Sequence, residues 1–138
     1  MRKIIVTGCN GQLGRAVNKL YAGDNTYEFV NTDVGELDIT NIDQVMAFAR
    51  EIKPYAIINC AAHTAVDACE TEGDKAYKIN GIGARNLSIA ASETDAKLIH
   101  ISTDYVFDGK GTRPYTEFDP VGPQGMYGLT KLAGENFV

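Results

Sequence analysis

At 138 residues, 44% of them hydrophobic, the chain is long enough for one compact domain with a buried core and too apolar for a disordered tail. Its formal net charge of −5, with Lys and Arg scattered rather than clustered, gives no electrostatic footprint for a nucleic-acid backbone. No apolar run approaches the roughly 20 residues of a membrane helix, and the cysteines at 9, 60 and 69 make neither a disulfide framework nor a C-x-x-C pair, so a cytoplasmic protein is expected.

The first element is Lys3 to Arg15, K-I-I-V-T-G-C-N-G-Q-L-G-R, where a short apolar strand feeds into glycines at 8, 11 and 14. Gly8 suits a sharp turn, Gly11 lets the main chain approach a phosphate, and Gly14 lets the next helix pack on the strand. A helix starting at Gln12 turns its unpaired N–H groups toward that phosphate. By itself the pattern also describes a glycine-rich turn with no ligand. The helix is predicted to run to about Tyr21, with Leu13, Val17 and Leu20 on one face and Gly23 and Asp24 ending it.

Further strand-like runs lie at Tyr27 to Asn31, Tyr55 to Cys60 and Lys97 to Ser102, with helical patterns between most of them, which predicts a parallel sheet of βαβ units. Asp33, nineteen positions after Gly14, stands where a dinucleotide fold places an acid against the adenosine ribose hydroxyls. Its carboxylate opposes a 2′-phosphate, and no Lys or Arg occurs between Lys19 and Arg50, leaving Arg15 as the nearby clamp. In L-D-I-T-N-I-D, Thr40 is expected to cap a helix with Asp43 as its capping-box partner. Ile42, Val45, Met46, Ala49 and Ile52 trace that helix's inner face, and Pro54 closes it. The path of the crossover places Asp38 and Ile39 beside the adenine.

After the Tyr55–Cys60 run, Ala61 and Ala62 leave room for a cofactor crossing the strand ends. Asp74 to Ala91 reads as one long helix with Ala76, Tyr77, Asn80, Ala84, Leu87 and Ala91 inward, so the Asn80 amide needs a hydrogen-bond partner. His63 and His100 lie far apart with no second ligand at metal spacing, so no metal site is expected, and His100 reads as structural. The last strand delivers Ser102, Thr103, Asp104 and Tyr105 to the carboxyl edge, a dense polar cluster suited to a ligand. The loop Phe107 to Gln124, with prolines at 114, 120 and 123, is expected to be ordered and functional. Tyr127 and Lys131 share a helical face, where an ammonium beside a phenol favours proton exchange near neutral pH. Thr103 could hold a carbonyl oxygen while Tyr127 protonates it. Y-x-x-x-K alone is mostly structural; its weight here comes from following a glycine turn, a ribose acid and a Ser-Thr strand end.

The runs T-G-C-N-G-Q-L-G at 7–14, L-D-I-T at 37–40, A-A-H-T-A-V-D at 61–67, S-T-D-Y-V-F-D-G at 102–109 and Y-G-L-T-K-L-A-G-E at 127–135 span the chain. In them it resembles the N-terminal half of an extended short-chain dehydrogenase/reductase, closest to the dTDP-4-dehydrorhamnose reductase branch. The resemblance implies an α/β, Rossmann-type doubly wound parallel sheet of about five strands in order 3-2-1-4-5. Residues 1–138 would form the NAD(P)-binding domain, with the C-terminal substrate domain absent. It implies an NAD(P)-dependent oxidoreductase that uses NADH or NADPH to reduce a 4-keto nucleotide sugar, dTDP-4-dehydro-L-rhamnose to dTDP-L-rhamnose. Tyr127 becomes the general acid, Lys131 its electrostatic partner and ribose anchor, and Thr103 the carbonyl orienter. Ser102, Asp104 and Tyr105 line the sugar and nicotinamide site. The cofactor falls to Gly8, Asn10, Gly11, Gln12, Leu13, Gly14, Asp33, Asp38, Ile39, Ala61 and Ala62, together with Tyr127 and Lys131. Asn80 matches an asparagine that supports the lysine through water, and His63 stands where relatives often carry tyrosine. Family members continue further, so the chain alone is expected to be inactive, with an unpaired sheet edge favouring self-association into a homo-oligomer. Another sugar-nucleotide reductase or epimerase of the superfamily, or a non-catalytic dinucleotide-binding regulatory subunit, remain alternatives.

Overall fold

Four short parallel strands carry the architecture: β1 (Arg2–Thr7), β2 (Tyr27–Thr32), β3 (Ala56–Asn59) and β4 (Lys97–His100), in a computed structural model that describes residues 1–138. They are hydrogen-bonded in the order β2-β1-β3-β4, with Thr7 in register with Thr32 on one side and Asn59 on the other, and Asn59 with His100. The parallel α/β class read from the sequence is the one formed. The fifth strand is not. Between β2 and the helix α2 (Ile42–Ile52), the backbone oxygen of Asp33 accepts from Glu36 N (3.0 Å) and Leu37 N (2.8 Å), so the chain turns after β2 and reaches α2 with no strand between them. Dropping that strand from the order 3-2-1-4-5 leaves the observed order.

The helices are α1 (Gln12–Leu20), α2, α3 (Val66–Thr71), α4 (Gly73–Ala76), α5 (Ala84–Glu93) and α6 (Met126–Phe137), with a π-helical stretch at Tyr77–Gly83 and a 3₁₀ turn at Asp104–Val106. The main core lies on one sheet face, where Ile5 and Ile57 meet Val45, Met46 and Ala49 of α2 and Leu87, Ala90 and Ala91 of α5. Leu37 and Ile39 complete it. A smaller cluster of Ile4, Val6 and Ala56 occupies the other face, with Cys9 and Cys60 packed against it as small apolar groups.

Local departures from the sequence reading have identifiable causes. Asn41, not Thr40, caps α2, its side chain accepting from Asp43 N and Gln44 N at 3.1 Å each, because the helix begins one residue later, at Ile42, and the Thr40 hydroxyl instead donates to Asp38 (2.7 Å). The predicted helix over 74–91 forms, but its π-helical stretch changes the turn and leaves Tyr77 41% exposed rather than inward. Along α1 the predicted apolar stripe is open: Leu13 is 41% and Leu20 76% exposed, and Gly14, packed against the β1–α1 turn, is the helix's buried residue.

A Cβ at Gly14 would lie 2.5 Å from Gly8 O and 2.6 Å from Cys9 Cα, both backbone atoms that cannot turn aside. Gly14→Ala should therefore destabilise the chain by ~1–3 kcal/mol in chemical denaturation, the usual cost of overpacking. Gly35→Ala, with nothing within 4 Å, should change stability by less than ~0.5 kcal/mol.

Candidate active site

The carboxyl ends of the strands open into a cleft. Its inner part is a cavity of about 250 Å³ lined by Gly8 and Gly11 from the β1–α1 turn, Asp33, Asp38 and Ile39 from the segment after β2, and Ala61 and Ala62 after β3. Gly8 sits at φ +63°, and a Cβ there would come within 2.8 Å of Ala61 N, so the turn can close over the end of β3 only as glycine. Gly11 N donates back to Gly8 O (3.0 Å), leaving the first N–H groups of α1 facing the cleft. At the rim, the Asp33 carboxylate accepts from Asn10 N (3.1 Å) and Val34 N (2.8 Å), while Arg15 Nε donates to Asn10 O (2.6 Å). Asp38 is tied down by Thr40, and Ile39 is buried with its carbonyl accepting from Asn86 Nδ2 (2.9 Å). Gly14 lines none of these cavities; it is the buried residue of α1 and packs against the turn at Gly8 and Cys9.

Through Gly11, Cys60, Ala61 and Ala62 this cavity continues into a second of about 320 Å³, lined also by Gln12, Leu13, Ser102, Tyr127 and Lys131. A third, of about 520 Å³, lies outward between α3 and α6 and takes in Val66, Asp104, Tyr105, Gln124, Gly125 and Tyr127. Tyr127 is the residue that the second and third cavities share. The Tyr105 ring meets it edge-on, with centroids 5.5 Å apart and planes at 70°. Thr103 stands between Ser102 of one cavity and Asp104 of the other. Its hydroxyl caps the 3₁₀ turn, accepting from Tyr105 N (3.2 Å) and donating to the Asp104 carboxylate (3.3 Å). Beyond it the loop to Gln124 is held by its own contacts: Phe107 stacks on Tyr115 at 4.3 Å, and Arg113 forks onto Asp119 at 2.6 and 3.0 Å.

Lys131 is 3% exposed, and its Nζ donates to Ile101 O (2.5 Å). Burial pushes its pKa down and the Glu135 carboxylate pushes it back up; Glu135 also accepts from the Ser102 hydroxyl. Asn80 commits both amide hydrogens, to His63 O and Thr130 Oγ1 at 3.1 Å each, and accepts from His63 N (2.8 Å). It thus reaches α6 through Thr130, the neighbour of Lys131. His63 turns its ring the other way, to Glu72 (2.8 Å), and with Lys75 this pair holds the Glu72 carboxyl below its usual range.

Asn59, which the sequence reading passed over, is central. Its Oδ1 accepts from Thr7 Oγ1 (2.7 Å) and Ala61 N (3.2 Å), and its Nδ2 donates to His100 Nδ1 (3.1 Å). The signal for it was a polar residue closing the apolar run I-I-N. That donation requires an unprotonated Nδ1, and burial, followed by the Lys131 ammonium, holds His100 down to about pKa 4. Its Nε2 is buried without a partner. No group of three His, Cys, Asp or Glu side chains is placed to hold a metal ion, and no helix is long and apolar enough to cross a membrane.

The family described as RmlD substrate binding domain matches residues 1–138. A dTDP-4-dehydrorhamnose reductase of Aggregatibacter actinomycetemcomitans is 42% identical over 138 residues, covering 100% of this chain and 47% of that protein. The crystal structure of a dTDP-4-dehydrorhamnose reductase from Clostridium acetobutylicum superposes with a TM-score of 0.96 at 58% identity, over 98% of this chain and 48% of that one. Another, from Bacillus anthracis in complex with NADP, gives 0.95 at 47% identity, over 99% and 49%. The chain thus spans about half the length of these relatives.

The depressed His100 sets a pH dependence. Between its folded value of about 4 and its ordinary 6.5, the unfolded chain binds a proton that the folded chain refuses, so stability rises with pH across that window. The contribution is complete above pH 6.5 and is lost as the pH falls toward 4. Discounted for partial exposure, it should amount to ~1–2 kcal/mol. Urea denaturation at pH 7 and pH 4.5 should show this loss in the parent and a clearly smaller one in His100→Gln.

Proposed function

The chain belongs to the RmlD substrate binding domain family, and we propose that the protein is an NAD(P)H-dependent oxidoreductase reducing the 4-keto group of a nucleotide sugar, dTDP-4-dehydro-L-rhamnose to dTDP-L-rhamnose. The observation that carries this reading is the place of Tyr127, in the one wall shared by the inner cleft and the outer cavity, with buried Lys131 behind it. The names of the relatives, one of them bound to NADP, support it.

The residues present fit a dinucleotide. The Gly8 turn puts bare backbone at the cavity, and the first N–H groups of α1, at Gln12 and Leu13, suit a pyrophosphate. Asp33 and Asn10 would take the adenosine ribose, Asp38, Ile39, Ala61 and Ala62 the flat adenine side, and Tyr127 and Lys131 the nicotinamide ribose. When bound, the reduced nicotinamide supplies the hydride. Everything else falls to the chain. A sugar in the outer cavity rests on Asp104 and Tyr105, with Ser102 on the inner side, and presents its carbonyl oxygen to the Tyr127 hydroxyl. Tyr127 gives its proton to that oxygen as the alkoxide develops. The phenolate left behind is stabilised by the Lys131 ammonium, whose attraction is strengthened by the dry surroundings and whose position is set by Ile101 O. Thr103 exchanges its bond to Asp104 for one to the substrate oxygen. Residues 1–138 would serve as the NAD(P)-binding domain, with the remaining substrate contacts coming from outside them. Three free thiols suit a reducing cytoplasm, and β4, paired on one side only, suits self-association into a homo-oligomer.

Two measurements test this. In the full-length chain Tyr127→Phe should lower kcat by roughly 10²–10⁴-fold while leaving cofactor affinity within about threefold, and Lys131→Met should damage both. Parental kcat in Tyr127→Phe would overturn the assignment. NADH should bind at least as well as NADPH, and Arg15→Ala should weaken NADPH alone by about tenfold, the loss of one charged phosphate contact. A NADPH preference above about tenfold that survives Arg15→Ala would contradict the role given to Asp33 and Arg15.

A further inference from the structure

The helix carrying Tyr127 and Lys131 begins without a cap of its own. Its N-cap residue is Gly125, which offers no side chain, and no acidic residue lies in its first turn. Its first orphan donor, Met126 N–H, is instead taken by Glu70 Oε1 at 2.8 Å, from a residue on α3. Gly125 makes this possible, because a Cβ there would stand 2.7 Å from the same oxygen. α3 also carries Val66, one turn before Glu70, on the wall of the outer cavity that Tyr127 closes from the other side. We propose that Glu70 is a positioning residue for the proton transfer: its carboxylate caps α6 in trans, one residue before Tyr127, and fixes where the phenol stands between the two cavities. The inference rests on the reductase reading for its catalytic half.

What makes the effect specific to Tyr127 is the distribution of the other anchors. Thr130 is held by Asn80 and Lys131 by Ile101 O, both a turn further along α6. Without Glu70 the first turn loses its capping bond and keeps only the Tyr105 ring beside the phenol and the Thr130 hydroxyl on Tyr127 O, while the ammonium keeps its own anchor at Ile101 O. The negative carboxylate also suits the positive end of the helix dipole. Glu70 is exposed, so it is not needed to complete the core.

The test compares Glu70→Ala, Glu70→Gln and Gly125→Ala with the parent in the full-length chain. It reads amide hydrogen exchange at 126–129, cofactor affinity, and kcat and KM with dTDP-4-dehydro-L-rhamnose. Glu70→Ala should speed exchange at Met126 and Tyr127 by roughly fivefold to tenfold, the worth of one cap. It should also lower kcat by about tenfold or more with KM and cofactor affinity nearly unchanged, as misplacement of one reacting group does. Glu70→Gln, which keeps an acceptor oxygen at the same reach, should restore most of both, and Gly125→Ala should behave like Glu70→Ala by displacing the carboxylate. Unchanged exchange, or faster exchange with an unchanged kcat, would overturn the proposal. A parent chain that reduces no keto sugar would refute the reductase reading and with it the catalytic half, leaving exchange to decide whether Glu70 holds the first turn.

Discussion

The cleft depends on a row of polar side chains laid across the sheet at the last residue of each strand. Thr32, Thr7, Asn59 and His100 are register partners from β2 to β4, and the last three are linked side chain to side chain. Thr7, Thr32 and Asn59 are at most 2% exposed, so each unpaired group would carry a desolvation cost of about 1–3 kcal/mol. A slip of one residue in any strand would turn its member of the row to the opposite face and strand the others. The row therefore fixes the level at which all strands end, and with it the level at which Gly8, Asp33, Ala61 and Ile101 leave the sheet.

The charge distribution follows from that row. Burial and the Lys131 ammonium keep His100 neutral, which leaves Nδ1 free to accept from Asn59, and Ile101 is the next residue along the chain, so its carbonyl emerges where Lys131 can use it. A neutral imidazole beside a buried ammonium adds no second positive charge to the site. Lys131 then has a fixed acceptor in Ile101 O, a carboxylate at Glu135 one turn on, and little water around its ammonium.

What the sequence made legible was whatever depends on neighbours in the chain. The glycine turn, the acid after β2 and the Tyr127–Lys131 spacing are local, and they come together across the strand ends because parallel connectivity permits little else. The fifth strand came only with the family resemblance, since the residues themselves show four apolar runs, and the bonds that turn the chain after β2, Glu36 and Leu37 back to Asp33, leave no mark in composition. Asn59, marked only as a polar end to an apolar run, and Glu70 showed no sign of their partners for the opposite reason. Asn59 acts through partners 52 and 41 positions away, and Glu70 through one 56 away, distances over which a single sequence gives no pairing signal. Spacing alone points to Thr40 as the cap, yet its hydroxyl bonds Asp38 two residues back and Asn41, the next residue, takes the helix end.

The two faces of the sheet bear unequally on the site. The inner cavity rests on the main core: Ile39 belongs to both, and Ala61 packs against that core while lining the cleft. On the opposite face Leu20 is 76% and Ile99 48% exposed, and Ile4, Phe29 and Ile58 border a shallow apolar groove. Apolar surface of this kind invites cover, but none of the hydrogen bonds that shape the cleft runs through it. Gly8 against Ala61, Asp33 against Asn10, and Lys131 against Ile101 are all set by groups on the core side or at the strand ends. Whatever packs on the open face should therefore alter stability more than the geometry of the cleft.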